Sequence, residues 1–98
     1  MLRILLYIKI AEAAEAFYQG NAKLGYGKVT EIATYLLTLN QQVIEAVGNG
    51  NLIGYDQNRF MEILTEMMNA MTEKDNVLLS DILQYDMIEE LECLEEYI

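Results

Sequence analysis

Apolar residues recur at helical spacing along most of the chain, so the hydrophobic pattern predicts helices. Between residues 29 and 47 they stand three, four or seven positions apart, which places them on one side of a helix with 3.6 residues per turn. These positions are Val29, Ile32, Ala33, Leu36, Val43, Ile44 and Val47. Gly48 follows directly and is a natural helix end. Asn40 lies on the same stripe, either as a boundary residue facing water or as a buried polar residue that fixes pairing register.

A second stripe follows Asp56, whose carboxylate is placed to cap a helix by accepting the backbone N–H of Asn58 or Arg59. The stripe consists of Phe60, Ile63, Leu64, Met67, Met68 and Met71. Its three methionines are typical of an adaptable peptide-binding groove, although ordinary core packing explains methionine at this spacing as well.

The last part of the chain predicts one more helix, with Asp75 as its cap. Its main stripe consists of Val77, Leu78, Ile82, Tyr85, Ile88, Leu91, Leu94 and Ile98. Leu79, Leu83 and Met87 broaden this stripe, and a helix that is apolar on more than one side packs against more than one neighbour. We therefore expect either a central helix or a dimer interface.

The first ten residues fit two patterns. A strand-like alternation is formed by Leu2, Ile4, Leu6, Ile8 and Ile10, and a helical stripe by Ile4, Ile8, Ala11 and Ala14. The Ala/Glu-rich segment that follows has high helix propensity, and a single strand has no partner in this chain. The sequence therefore predicts a helix from about residue 3 to Gln19, ending at Gly20.

The segment NAKLGYGK, residues 21–28, either opens the second helix with Asn21 as its cap or forms a loop. Two glycines in three residues lower helix stability by roughly 2 kcal/mol relative to alanines. We expect another backbone to pass close to Gly25 and Gly27. A phosphate-binding interpretation fails, because the six-residue glycine fingerprint and its preceding strand are missing.

The predicted fold is all-α, an antiparallel up-down bundle of about four helices in a single domain, residues 1–98. The outer connections are short, which favours antiparallel neighbours. A chain of 98 residues buries only about 60–65% of its unfolded surface, and 53% of its residues are hydrophobic. Apolar surface left over after folding suggests self-association, so we expect a homodimer.

Composition excludes several classes of function. Sixteen acidic and six basic side chains give a net charge of −10, which repels nucleic acids and anionic membranes. The apolar N-terminal run is too short to span a bilayer. The single cysteine, Cys93, suits a reducing compartment. We expect a cytoplasmic protein that binds neither nucleic acid nor membrane.

The segment GNGNLIGYDQN, residues 48–58, looks at first like a calcium loop. With Gly50 at the invariant glycine position, Val47 falls on a side-chain ligand position; with Gly54 there, Phe60 falls on the bidentate one. Both registers fail. The chain has no histidine, and Ser80 is its only serine. We therefore predict no metal, no cofactor, no catalytic residues and no enzymatic activity.

Two stretches carry a family resemblance: AEAAEAFYQGN, and FMEILTEMMNAMTEKDNVLLSDILQYDMIEELE, within which DNVLLSDILQY is the most recognisable phrase. Together they resemble an uncharacterised family of small helical bacterial domains associated with motility genes. The layout of helices is also loosely similar to the flagellin export chaperones, whose bundles hold an unfolded substrate. The resemblance implies a fold and carries over no catalytic residues.

The leading functional hypothesis is a non-enzymatic interaction or adaptor module, with a chaperone or regulator of bacterial motility or secretion as its specific form. The residues predicted to contact a protein partner or client are Phe60, Leu64, Met67, Met68, Met71, Leu79, Leu83 and Met87. The alternative is a small-ligand-binding domain, whose pocket between helices draws on Tyr7, Phe17, Tyr18, Tyr26 and Tyr35. Ordinary packing also accounts for these aromatic residues.

Overall fold

The computed structural model describes residues 2–97, with side chains from residue 4 onward. Within that range there are four helices and no strand, which confirms the all-α prediction and the helix predicted from about residue 3. Helix α1 spans Leu2–Tyr18, α2 spans Ala22–Gly48, α3 spans Gln57–Glu73 and α4 spans 76–95.

The helices form an antiparallel ring. Lys9 of α1 pairs with Glu31 of α2, and Glu12 pairs with Lys28, so α2 descends as α1 ascends. Helix α1 contacts α2 and α4, and α3 contacts the same two helices. Each helix thus has two neighbours around one shared core, as predicted for an up-down bundle.

Side-chain caps begin three of the helices. Asn21 accepts the backbone N–H of Leu24 at 3.2 Å, so the segment after Gly20 opens α2 and is not a loop. Asp56 accepts the N–H of Asn58 at 3.0 Å. Asp75 accepts from residue 78 at 3.1 Å. All three predicted caps are confirmed, since each satisfies an N–H that has no partner in its own helix.

The close approach expected at two glycines occurs at one of them, and the neighbour is a side chain. A Cβ placed on Gly25 would lie 2.8 Å from the ring of Phe17, whereas a Cβ on Gly27 would meet nothing within 4 Å. The Phe17 ring also packs edge-on against Tyr26, with ring centroids 5.0 Å apart. Gly25 therefore makes room for an aromatic contact between α1 and α2.

We expect Gly27→Ala to stabilise the fold by about 1 kcal/mol, because alanine is the better helix former. Gly25→Ala has the same helical gain but must displace the buried Phe17 ring. It should therefore be less stable than Gly27→Ala by about 1–3 kcal/mol. Urea denaturation of both variants measures the difference, and equal stabilities would show that the Phe17 contact is not tight.

The buried side of α2 agrees with the predicted stripe. Val29, Ile32, Leu36 and Val43 are buried, although Ile44 is exposed. Asn40 is half-buried, and its side-chain oxygen has no hydrogen-bond partner among the residues described. It is thus a boundary residue with a shielded oxygen.

The buried side of α1 differs from the predicted one. Leu6, Ile10 and Ala13 face the core, whereas Ile4 and Ile8 of the proposed stripe are exposed. The side chain of Leu2 lies outside the described part of the chain. Because apolar residues surround the first half of α1, one face of a bundle cannot bury them all.

Helix α4 is continuous but changes character in its middle, from α-helical Asn76–Asp81 to π-helical Ile82–Met87 and back to α-helical Ile88–Glu95. Its buried residues include Leu79, Leu83, Met87 and Leu91. Four-residue steps drift by about 40° each in a straight α-helix. The wider π turn reduces this drift and keeps the four on one side.

The predicted main stripe of α4 is therefore wrong at three positions of its first half, whereas Ile82 is buried as predicted. Val77, Leu78 and Tyr85 are exposed, because the residues taken as its broadening form the buried face. Ile98, the last position of that stripe, lies outside the described residues. Helix α4 contacts both α1 and α3, so its broad apolar surface packs against more than one neighbour, as expected.

The connector between α2 and α3 is held by aromatic side chains. Gly50 and Gly54 adopt φ of +83° and +87°, which L-residues rarely adopt. Between this turn and α3, the buried Tyr55 donates a hydrogen bond to Glu90 of α4 at 2.6 Å. Tyr97 packs against Tyr55 with ring centroids 5.4 Å apart. The connector is thereby fixed to the C-terminal half of α4.

Candidate functional site

The residues predicted to contact a partner lie mostly in the core of the single chain. Those that are buried are Phe60, Leu64, Met67, Leu79, Leu83 and Met87. Met71 is half-buried against the same core, and Met68 is exposed. Helical periodicity identified the apolar side of α3 correctly, but that side packs against the chain's own helices. The three methionines do not line an exposed groove.

The aromatic residues of the ligand-binding hypothesis are spread over several contacts. Phe17 packs against Tyr26, whose hydroxyl donates to Asn76 at 2.5 Å. Tyr18 is exposed and donates to Asp81 of α4 at 2.6 Å, and this hydrogen bond raises the pKa of Tyr18 to about 12. Tyr7 is half-buried against the core. They do not converge on one pocket.

One cluster of exposed apolar side chains lies at the start of α1. Ile4, Leu5 and Ile8 are 62%, 47% and 50% exposed. Ile4 and Ile8 stand one turn apart and form a ridge on the outer side of the helix. A helix that is apolar all round is typical of a buried helix. In the single chain this half of α1 is covered on one side only.

Beside this ridge lies a groove between α1 and α2, called here the α1–α2 groove. It is lined by Leu5, Leu6, Lys9, Thr34, Tyr35, Thr38, Leu39 and Gln42, with a volume of about 340 Å³. Leu6 is buried and Leu39 half-buried, whereas Leu5 and Tyr35 remain exposed at its walls. The exposed surface of the groove is largely apolar, and its polar groups are few.

The charges next to the groove are paired within the chain. Lys9 donates to Glu31, and this hydrogen bond raises the pKa of Lys9. Lys28 donates to Glu12 at 2.9 Å, which lowers the pKa of that carboxyl. Both pairs bridge α1 and α2 and are solvated, so they contribute little to stability. Each of these four charges therefore has an opposite charge beside it on this face.

Nothing in the groove resembles a catalytic arrangement. Its polar lining consists of one lysine, two threonines, one glutamine and the phenol of Tyr35. Elsewhere, among residues 2–97, no three histidine, cysteine, aspartate or glutamate side chains are grouped so that they could hold a metal ion. The buried Tyr55–Glu90 pair lies on α4 and the connector, where it fixes the connector.

Cys93 is half-buried on α4, close to several carboxylates. Burial raises the pKa of the Cys93 thiol, and the charges of Glu90, Glu96 and Glu89 raise it further. Because the thiolate is the nucleophile, a raised pKa lowers reactivity at neutral pH.

We therefore expect Cys93 to react with iodoacetamide more slowly than an exposed cysteine, because less of it is thiolate at neutral pH. Denaturation should abolish the difference. An Ile53→Cys variant in a Cys93→Ser background supplies the exposed reference, since Ile53 is 86% exposed. Equal rates for the two folded proteins would contradict the expected protection.

Sequence reasoning did not find the α1–α2 groove, although the signal was present. Ile4, Leu5, Leu6, Ile8 and Ile10 fall within seven residues of one helix. One side of a helix cannot hold so many large apolar residues, so some of their side chains must face away from the core. The surplus predicted on α4, at Leu79, Leu83 and Met87, is buried in the structure.

The protein is a small all-α bundle with an apolar groove between α1 and α2. The residues described contain no catalytic arrangement. A family model described as "Domain of unknown function (DUF8042)" matches residues 5–97, and the chain belongs to this family. The predicted membership of an uncharacterised helical family is thereby confirmed, without any link to motility. No curated protein and no solved structure matches the chain. None of the described helices combines the length and apolarity needed to cross a membrane.

Proposed function

We propose that the protein is a non-enzymatic protein–protein interaction module that works through the α1–α2 groove and the ridge beside it. The observation that carries this proposal is the exposure of Ile4, Leu5 and Ile8 next to an apolar groove. Clustered apolar side chains on the surface of a small protein are typical of an interaction site. We therefore place the proposed partner contacts on α1 and α2 and not on α3 and α4.

The geometry favours a helical partner segment. A groove between two antiparallel helices accepts the side chains of a third helix, which bury at spacings of three and four residues. Leu6 and Leu39 provide an apolar floor for such side chains, and Tyr35 adds a phenol at the wall. An adaptor, a regulator or a chaperone that holds an export substrate uses this kind of contact. A role in bacterial motility or secretion is the specific form that we propose.

A small ligand is the second candidate, because the groove volume of about 340 Å³ falls within the range of small-molecule sites. Of the aromatic residues first considered for such a pocket, Tyr35 lines the groove. A thermal-shift screen of small apolar compounds tests this candidate. A ligand of the groove raises the melting temperature of the wild type and not that of Tyr35→Ala, whereas a protein-binding surface responds to no compound in this way.

Site-specific photo-crosslinking in cells tests the interaction proposal. A photoreactive amino acid replaces Ile8 on the ridge or, as the control, Val77 on α4, which is 70% exposed. We expect the probe at position 8 to give one discrete crosslinked band and the probe at 77 to give none. No band from position 8, or the same bands from both positions, would contradict an interaction site on this face.

A further inference from the structure

We propose that the occupant of the α1–α2 groove is a second copy of this chain, bound face to face about a two-fold axis. This inference rests on the proposed function and names its partner. It requires that the same face offer both a projection and a matching depression, because in a two-fold interface each contact occurs twice. It also requires that two strongly acidic molecules meet where their charges do not oppose each other.

The first requirement is met by the ridge and the groove. Ile4 and Ile8 form a row with i, i+4 spacing, which is the kind of ridge that fits between the side-chain rows of a facing helix. Leu5 follows Ile4 directly and is a wall of the groove, so ridge and groove adjoin on one surface. Placing the ridge of one copy in the groove of its partner covers both apolar features at once.

The second requirement is met by the distribution of charge. After Lys74 the chain carries eight acidic residues and no basic one, so contact between two α4 surfaces would bring like charges together. Beside the α1–α2 groove, by contrast, two lysines and two glutamates pair and cancel. Self-association through the apolar α1–α2 face therefore meets less repulsion than self-association through α4.

The size of this face sets the expected strength. The 17 residues of α1 extend for about 25 Å, and two packed helices are about 20 Å wide. The footprint is thus about 500 Å² per copy, below the roughly 800 Å² per partner of a standard interface. We therefore expect a reversible dimer with a dissociation constant in the micromolar range.

Sedimentation equilibrium from about 1 μM to 1 mM tests the proposal, over the range where such a dimer dissociates. The wild type should pass from the monomer mass of 11.2 kDa to twice that value. Ile8→Glu and Leu5→Glu, both at exposed positions, should keep the wild-type circular dichroism and remain monomeric throughout. Val77→Glu adds the same charge on α4 and should dimerise as the wild type does.

Three results would overturn this inference: a wild type that stays at 11.2 kDa, two groove variants that dimerise normally, or growth beyond the dimer. Two charge variants are included so that the misfolding of one leaves the other decisive. If the wild type is monomeric while position 8 crosslinks to a different protein in cells, the second copy is excluded and the interaction module stands. If neither occurs, both proposals fail.

Discussion

Replacing Leu83 with glutamate is expected to unfold the protein and not to release a folded monomer. Leu83 is 0% exposed in the π-helical segment of α4, a segment that contacts both α1 and α3. Removing a buried leucine side chain alone lowers stability by about 2–5 kcal/mol. A carboxylate at the same position must also leave water without a partner, which adds several kcal/mol. The total approaches the stability of about 5–15 kcal/mol expected of a small domain.

Circular dichroism during heating and urea titration measures this effect, with Tyr85→Glu as the matched control. Tyr85 lies two residues away in the same segment and is 60% exposed. Its replacement should change stability by no more than about 0.5 kcal/mol. A Leu83→Glu variant that melts at the same temperature as the wild type would show that Leu83 lies at the surface. It would contradict the packing described for α4.

Tyr55→Phe is expected to destabilise the fold by about 2–3 kcal/mol, the second largest effect. The Tyr55 hydroxyl donates to the buried Glu90 carboxylate at 2.6 Å, and burial together with this hydrogen bond raises the pKa of Tyr55. Hydrogen bonds to charged groups are worth about 1.5–3 kcal/mol, and removing the donor leaves a carboxylate shielded from water. Urea denaturation of the variant measures the loss.

Two further variants separate the hydrogen bond from the packing of the connector. Tyr97→Phe removes a longer hydrogen bond of 3.3 Å to Gly54 at an exposed position and should have little effect. In a Tyr55→Phe, Glu90→Leu double variant no buried carboxylate is left without a partner, so most of the lost stability should return. If the double variant is as unstable as the sum of the single ones, the pair does not interact as described.

Much of this fold could be predicted from sequence because the signals are local. Asn21, Asp56 and Asp75 cap helices through hydrogen bonds to residues two or three positions away. The stripes of α2 and α3 repeat at ordinary helical spacing, so their buried sides agree with the structure apart from single residues at the margins. Short connections then imposed an antiparallel arrangement.

The buried side of α4 could be found only in part in this way. Ile82, Leu91 and Leu94 of the predicted stripe are buried, but the geometry of the helix changes in its middle. A period of 3.6 residues favours Tyr85, whereas the π-helical segment buries Leu83 and Met87 in successive four-residue steps. This change in winding involves packing against α1 and α3, which no local pattern of residues reveals.

The burial of the predicted partner residues could not be foreseen for a related reason. Hydrophobic periodicity reports which residues are apolar, and it does not distinguish a surface that packs within the chain from one left uncovered. The apolar residues of α3 and α4 were assigned to a partner, yet the bundle itself covers most of them. In α1 two patterns competed, and the surplus at Ile4 and Ile8 was read as the core side.

We propose that the uncovered side of α1 contacts the same side of a second copy of this chain. Isotope-filtered nuclear Overhauser spectroscopy on a mixture of labelled and unlabelled protein, at about 1 mM so that a micromolar dimer is populated, tests it most directly. We expect contacts between the Ile4 and Ile8 methyl groups of labelled molecules and the Tyr35 ring of unlabelled ones. Intermolecular contacts confined to α4, or none at all, would contradict it.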